Sequence, residues 1–120
     1  MTNQPENINL QVLIVRNDGL AYKINTDSPF SGIAVSYAGD LLYRSENYKN
    51  GKQHGLWELF HLYNEHGHIL RVTVNYDNGK QHGLCEQFHE NSQLKAKGNY
   101  KDDEKHGLWE EFYENGQIKS

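Results

Sequence analysis

A short motif recurs three times in the second half of this 120-residue chain. Its copies run from Tyr48 to Glu58, from Tyr76 to Glu86 and from Tyr100 to Glu110, and each contains a His-Gly-Leu step. The copies start 28 and then 24 residues apart. A period of roughly 20–50 residues is typical of architectures that stack one structural unit on the next. The repeat therefore restricts the chain to a modular fold.

The length of the chain fits one domain, since ordinary domains hold roughly 100–150 residues. We predict a polar N-terminal tail at residues 1–9 and a single repeat domain at residues 10–120. Within the domain, a degenerate unit at about residues 22–47 precedes units at residues 48–75, 76–99 and 100–120. In the degenerate unit, Ala34 stands where the other units have Trp or Cys.

Two turn signals in each unit predict hairpins. One set comprises Asn50-Gly51, Asn78-Gly79 and Asp102-Asp103, and the other comprises His66-Gly67, Asn91-Ser92 and Asn115-Gly116. Asn-Gly pairs tolerate the positive φ of the two-residue turns that join antiparallel strands. The segments between the turns have about six residues, which is a usual strand length.

Apolar and polar residues alternate within these segments, as in Leu70–Tyr76, and a period of two is typical of strands. Further upstream, Leu10–Val15 reads as a continuous apolar strand and Leu20–Ile24 as its neighbour. We predict an all-β fold, an elongated antiparallel β-meander of repeated hairpins in a single sheet.

Charge and composition exclude several classes of protein. The formal net charge is −4 and basic residues form no cluster, which argues against a partner that is a nucleic acid or an anionic membrane. Cys85 is the only cysteine, so no intrachain disulfide forms. No apolar run approaches the roughly 20 residues that span a bilayer, and Met1–Asn9 does not read as a secretory signal. We expect a cytoplasmic protein.

The repeat also carries a family resemblance. Gly-Leu-Trp-Glu, then an aromatic pair and Glu-Asn-Gly-Gln, and later Asn-Tyr-Lys before a His-Gly step resemble the MORN-repeat variant found in bacteria. The similarity covers residues 30–120 and is strong over the last three units. It implies a solenoid-like run of hairpins. Many bacterial members are antitoxins or immunity proteins, so the resemblance implies a protein that binds and neutralises a cognate toxin.

Seven histidines invite a metal site, especially His54, His82 and His106, which share one repeat position. Equivalent residues of successive hairpins are two strands apart, about 10 Å, whereas Zn–N bonds are about 2.0–2.1 Å. The only compact pair of candidate ligands is His66 and His68. We therefore expect no metal, and we expect the repeated histidines to hydrogen-bond backbone where a turn meets a strand.

Glu58, Glu86 and Glu110 recur in the same way, and paired carboxylates could act as acid and base. Their predicted spacing of about 10 Å along one face exceeds the roughly 5–9.5 Å of glycosidase carboxylates. We expect each to pair with a cross-strand Lys, Arg or Tyr hydroxyl, and we expect Cys85 to be a small buried residue. No phosphate loop or dinucleotide fingerprint occurs, so we predict neither a catalytic residue nor a cofactor.

Candidate partner-binding residues come from two groups. Aromatic residues recur at the spacing of the units, and exposed aromatic stripes mark partner surfaces, which nominates Trp57, Trp109 and Tyr113. Most of the negative charge lies in the last repeat, and an acidic surface would attract a basic nuclease-type toxin. The acidic candidates are Asp102, Asp103, Glu104, Glu110, Glu111 and Glu114.

Two other uses of such a chain stay open. One is a scaffold or membrane-associated interaction module, a role proposed for other MORN proteins. The other is an enzyme, which the spacing of the glutamates disfavours. The sequence ends within a final hairpin, so the backbone of Leu108–Tyr113 is expected to be open for pairing with a partner strand or with a second copy of the chain as a homodimer.

Overall fold

The computed structural model of the chain describes residues 6–61 and 69–119. The predicted turn His66-Gly67 and the pair His66 and His68 lie outside these residues. Within them, no helix is long and apolar enough to cross a membrane. The described elements are β1 (Glu6–Asn9), a 3₁₀ turn (Leu10–Val12), β2 (Leu13–Val15), β3 (Ala21–Lys23), β4 (Gly32–Ala38), β5 (Leu41–Lys49), β6 (Lys52–His61), β7 (Ile69–Asp77), β8 (Lys80–Gln81), β9 (Gly83–Phe88), β10 (Leu94–Lys101) and β11 (Glu104–Glu111).

One long sheet contains most of these strands. Its order is β1-β4-β5-β6-β7-β9-β10-β11, with the short β8 also paired to β7, and β2 and β3 form a separate two-stranded sheet. Within the described residues, the strands pair in antiparallel fashion except β1 with β4, which are parallel. The radius of gyration is 16.1 Å, above the about 13.6 Å expected of a compact domain of this length. The predicted all-β, elongated meander of hairpins is confirmed.

The N-terminal region differs from its prediction. Residues 6–9 were expected in a polar tail, but they form β1, parallel to β4, because Ile8 is buried against Phe30 and Ala34. The predicted strand Leu10–Val15 starts as a 3₁₀ turn, since the Asn9 side chain accepts a hydrogen bond from the Gln11 amide at 2.9 Å. Only Leu13–Val15 remains as a strand.

The first set of predicted turns has the expected geometry. Both residues of Asn50-Gly51, Asn78-Gly79 and Asp102-Asp103 have positive φ, between 50° and 90°. In the two described turns of the second set, Ser92 and Gly116 have positive φ and the asparagines before them do not. The side chains of Asn91 and Asn115 accept hydrogen bonds from the amides two residues later, at 2.9 Å. These are longer turns in which one residue, not two, has the left-handed conformation.

Hydrogen bonds link each two-residue turn to the preceding part of the chain. The amide of Gly51 donates to the carbonyl of Phe30 at 2.8 Å, and that of Gly79 donates to Gln53 at 2.8 Å. The amide of Asp103 then donates to Gln81 at 3.0 Å. Gln53 and Gln81 follow their own turns by the same two residues, so successive hairpins stack in a common register. Equivalent side chains are thereby held two strands apart.

The main sheet has one covered face and one open face. Ala34, Glu46, Trp57 and Cys85 are buried, and the register places them on the same face. At the N-terminal end that face is covered by Phe30, Leu10 and Leu13. Further along, aromatic rings cover it in a ladder with centroid distances of 4.8–6.0 Å, formed by Phe30, Tyr48, Trp57 and Tyr76. We call this group the aromatic ladder.

The Trp109 indole lies directly on the backbone of Gly98. A Cβ atom at Gly98 would approach the ring atoms of Trp109 to 2.2–2.4 Å. We expect Gly98→Ala to lower the free energy of unfolding by about 1–3 kcal/mol, as in other overpacked sites, measured by urea denaturation. The double variant with Trp109→Ala should unfold no more easily than Trp109→Ala alone. An additive loss in the double variant would contradict the clash as the cause.

Candidate interaction surface

The three aromatic candidates differ in their exposure. Trp57 is only 6% exposed, with its ring between Tyr48 and Tyr76 and its Nε1 donating to the Asn47 carbonyl at 2.8 Å. It belongs to the aromatic ladder, and its burial removes it from the surface that a partner could contact. Trp109 is partly buried and Tyr113 is 51% exposed, so these two remain at the surface.

Lysine side chains lie over both surface aromatics. Lys105 Nζ is 4.6 Å from the ring centroid of Trp109, and Lys119 Nζ is 5.8 Å from that of Tyr113. Such cation–π contacts stabilise each pair by about 0.5–1 kcal/mol at exposed sites. A partner would have to displace these lysines to reach the ring faces, so the rings are less accessible than their sequence positions indicated.

The acidic candidates do not form one patch. Asp102 and Asp103 occupy the turn before β11, and Glu104 begins that strand, whereas Glu114 lies beyond the other end. Glu110 and Glu111 are successive strand residues, so their side chains point to opposite faces. Asp103 also has a structural role, because its Oδ1 accepts a hydrogen bond from the Gln81 amide at 2.8 Å. The negative charge is spread along β11 and over both faces.

The repeated histidines mark a bulge in each hairpin. Tyr48 pairs with Gln53 and Glu46 with Trp57, so Asn47 faces an extra pair of residues on β6. Gly55 adopts a φ of +84° there, and the Asn47 side chain donates to the Leu56 carbonyl at 2.6 Å. The asparagine thus makes the side-chain bond to backbone that was predicted for the histidine. His54 instead places its Nδ1 3.6 Å from Asp77 Oδ1.

Metal-ligating residues stay apart in the part of the chain that the structure describes. No group of three or more His, Cys, Asp or Glu side chains there could hold an ion. His82 and His106 are both exposed at the equivalent bulges. His89, which was not singled out, lies with Nε2 2.9 Å from the Phe112 carbonyl. The histidines in this part of the chain therefore act singly, in local contacts or at the surface, and do not converge on a common site.

The repeated glutamates lie in one row on the open face. Glu58 pairs with Thr73, Thr73 pairs with Glu86, and Lys97 lies opposite both Glu86 and Glu110. The row thus places the three carboxylates two strands apart, about 10 Å at roughly 4.8 Å per strand. In the described part of the sheet, Lys97 is the cross-strand neighbour of Glu86 and Glu110, but it forms no ion pair with either, and the neighbours of Glu58 are Ser45 and Thr73. The pairing predicted for these glutamates is therefore not seen.

A different carboxylate is buried on the covered face. Glu46 is 2% exposed, pairs with the Arg44 guanidinium and accepts a hydrogen bond from the Tyr48 hydroxyl at 2.7 Å. The same Arg44 lies 6.0 Å from the Trp57 ring centroid. Sequence reasoning missed this cluster, although alternation along β5 places Arg44, Glu46 and Tyr48 on one face. The cluster is fully paired, which suits a structural role.

Burial, together with the hydrogen bond to Glu46, raises the pKa of Tyr48 well above its ordinary value of 10.0. The unfolded chain therefore loses this proton before the folded chain does, and stability should fall as the pH rises above about 10. We expect the urea midpoint to decline gently from about pH 8 to 9.5, where the Cys85 thiol of the unfolded chain ionises, and to drop more steeply above about pH 10. Tyr48→Phe should make that drop shallower. An identical slope in the variant would assign the effect to other groups.

The lone cysteine is buried on the covered face opposite Gly98 and is 3% exposed. Desolvation raises the pKa of the Cys85 thiol, with a smaller contribution in the same direction from Glu86. A raised pKa leaves little thiolate at neutral pH, and the thiolate is the nucleophilic form. The site therefore disfavours covalent chemistry.

A half-open groove of about 480 Å³ follows the two-residue turns. Its lining includes the side chains of Lys52 and Lys80 beside the turn residues Gly51, Gly79 and Asp103. The turn amides of Gly51 and Gly79 already donate to carbonyl groups of the chain, so they offer no free donors to an anion. Asp103 is the one carboxylate among its described lining residues, so the groove offers no pair of acids.

The open face carries a row of leucines that sequence reasoning missed. Leu56, Leu84 and Leu108 are 40%, 43% and 79% exposed, and they lie two strands apart beside the glutamate row. The signal was present, since each leucine directly precedes Trp57, Cys85 or Trp109 in the repeat. Successive strand residues face opposite sides of a sheet. When the Trp or Cys side chain points to the covered face, the leucine before it therefore points to the open face. We call Leu56, Leu84, Leu108, Glu58, Glu86 and Glu110 the Leu–Glu stripe.

The predicted open edge at Leu108–Tyr113 is partly paired. The Glu111 carbonyl accepts a hydrogen bond from the Lys119 amide at 2.7 Å, and Phe112 forms a bridge with Ile118. The Tyr113 amide donates to Gln117 at 2.8 Å. A strand added along this segment would have to displace these bonds from Glu111 onward.

Comparison with known proteins identifies the repeat. No curated protein matches the chain, and no solved structure matches it. One family of repeats does match part of the chain. The matched residues lie on β8–β11 and the final hairpin and include Leu84 and Leu108, but they do not reach the unit at residues 48–75. MORN repeats suggest a protein-interaction module. Residues 81–102 and 105–120 match the family described as the MORN repeat variant, as the sequence motif predicted.

Proposed function

We propose that this protein binds a basic protein toxin stoichiometrically and neutralises it through the Leu–Glu stripe. The single observation that carries the proposal is the exposure of three leucines, each two strands from the next, beside a row of carboxylates on one sheet face. Exposed apolar rows bordered by charged residues mark protein-binding surfaces. The net charge of −4 and the MORN repeats further support a protein partner of opposite charge.

Catalysis is not part of this proposal. The repeated glutamates are held in a row about 10 Å apart, which is too far for two carboxylates to act on one bond. The buried Glu46 is paired with Arg44 and Tyr48, and the pKa of the Cys85 thiol is raised. Glu46 thus has structural partners, and the protonation state of Cys85 is unsuited to nucleophilic attack.

The test uses the protein encoded beside this chain in its genome, co-expressed with it. We expect the two to co-purify in a fixed ratio and the growth defect caused by the neighbour alone to disappear. Survival should require binding, so a variant that no longer co-purifies should no longer protect. Protection without a complex, or a neighbour that neither harms growth nor binds, would overturn the proposal.

Leu84→Arg should weaken that complex at least about tenfold, measured by isothermal titration calorimetry. The substitution places a charge at the centre of the Leu–Glu stripe, where a basic partner would desolvate and repel it. Its thermal unfolding should change little, because Leu84 is 43% exposed. Ile14→Arg is the matched control, since Ile14 is 40% exposed on the separate β2–β3 sheet. Equal losses in both variants would contradict the assignment of the binding face.

A further inference from the structure

We infer that the Leu–Glu stripe receives a basic amphipathic α-helix of the partner, laid across the strands. The helix carries apolar residues seven positions apart over the leucines, with Lys or Arg beside them facing the glutamates. This inference rests on the proposed function, in which the stripe is the binding face, and it adds the conformation and chemistry of the bound segment. It follows from the spacing of the stripe and from its charge.

The spacing matches the repeat of a helix. Leu56, Leu84 and Leu108 lie on β6, β9 and β11, each two strands from the next, which is about 9.6 Å. Seven residues of α-helix advance about 10.5 Å and complete nearly two turns, with a drift of only about 20°. Residues seven apart on one helix therefore meet successive leucines from the same side.

Other conformations of a bound segment fit the stripe less well. Three residues of an extended strand also span about 10 Å, but an odd number of residues points the next side chain to the opposite side. A polyproline II segment repeats every three residues in about 9.3 Å, but such ligands bind in aromatic-lined grooves. Along the row, leucine alternates with asparagine, in the order Leu56, Asn75, Leu84 and Asn99. Its apolar contacts therefore come from the aliphatic leucine side chains, which are the kind of contacts that bound helices use.

Charge selects a basic helix. Glu58, Glu86 and Glu110 run parallel to the leucines at the same spacing, with Lys97 as the cation placed between two of them. A helix with Lys or Arg four positions after each apolar residue would bring those cations beside the carboxylates. An acidic helix would meet like charges at every repeat, which is unfavourable.

The experiment uses two synthetic peptides of about 22 residues and identical composition, long enough for three successive heptads. The first has three leucines seven residues apart, a lysine four residues after each, and alanine and glutamine elsewhere. The second has its leucines five residues apart, which distributes them over different sides of the helix. Binding is measured by calorimetry, and bound helix content by circular dichroism with the isolated peptide subtracted.

We expect the first peptide to bind as a helix, at least about tenfold more tightly than the second. Leu84→Arg should abolish that binding, whereas Ile14→Arg should preserve it. Glu86→Gln should weaken it about three- to fivefold and reduce its dependence on salt. Equal binding of both peptides, no gain in helix, or unchanged binding to Leu84→Arg would overturn the inference. Sedimentation showing that the chain alone dimerises through Leu84 would overturn it as well, by assigning the stripe to a second copy.

The two proposals fail separately. If the neighbouring protein binds through Leu84 but its bound segment shows no helix by NMR chemical shifts, the helix inference is wrong and the neutralising function stands. If the heptad peptide binds as a helix while the neighbouring protein does not bind, the toxin-neutralising function is wrong and the chemistry of the stripe stands.

Discussion

Trp57→Ala should lower the free energy of unfolding by about 3–5 kcal/mol, the range for removing a buried Trp or Phe side chain. Trp57 is 6% exposed, and its ring centroid lies 5.4 Å from that of Tyr48 and 4.8 Å from that of Tyr76. Alanine would leave a cavity in the middle of the aromatic ladder. Urea denaturation followed by Tyr fluorescence and circular dichroism measures the loss.

Trp109→Ala is the matched control, because Trp109 occupies the same position of a later repeat. Its indole makes the equivalent hydrogen bond to the Asn99 carbonyl, at 3.0 Å, and its ring lies edge-on to Tyr100 with 5.2 Å between the centroids. Trp109 is also less buried, so we expect a loss of about 1–2 kcal/mol. Equal losses for the two variants would mean that the ladder does not concentrate stability around Trp57.

The hairpins could be predicted because their signals are local. Asn50-Gly51 and Asn78-Gly79 adopt positive φ at both residues, a requirement that can be inferred from the two residue types alone. The strand β1 could not be predicted in this way. Its sequence, Glu-Asn-Ile-Asn, is mostly polar and gives no local strand signal. It forms a strand because Ile8 packs against Phe30 and Ala34, which are more than 20 residues away in the sequence.

The candidate site was predicted less well, since position in a repeat does not determine exposure. Trp57 and Trp109 are equivalent in sequence, and their different burial depends on which rings flank them in space. The Leu–Glu stripe was within reach of the sequence, because Leu84 and Cys85 are successive strand residues and only one of them can face the covered side. The prediction favoured aromatic residues and ignored the alternation of side chains along the strand. It therefore selected the buried Trp57 and not the exposed Leu56 beside it.

Glu46→Ala should lower the free energy of unfolding by about 2–3 kcal/mol, because the Tyr48 hydroxyl and the Arg44 guanidinium both lose their partner. The Arg44 side chain is 39% exposed, so water can replace part of its interaction, and the loss should stay below the about 3–5 kcal/mol of a fully buried broken pair.

Two variants separate the contributions to this loss, measured by urea denaturation at neutral pH. Glu46→Gln keeps an acceptor for the Tyr48 hydroxyl and removes the charge that faces Arg44, so its loss should be smaller than that of alanine. Glu58→Ala removes a carboxylate from the open face of the neighbouring strand and should change stability by no more than about 0.5 kcal/mol. If Glu46→Ala were as stable as Glu58→Ala, the buried carboxylate would contribute nothing to the covered face. The stacking of the aromatic ladder alone would then hold the leucines of the opposite face in their register.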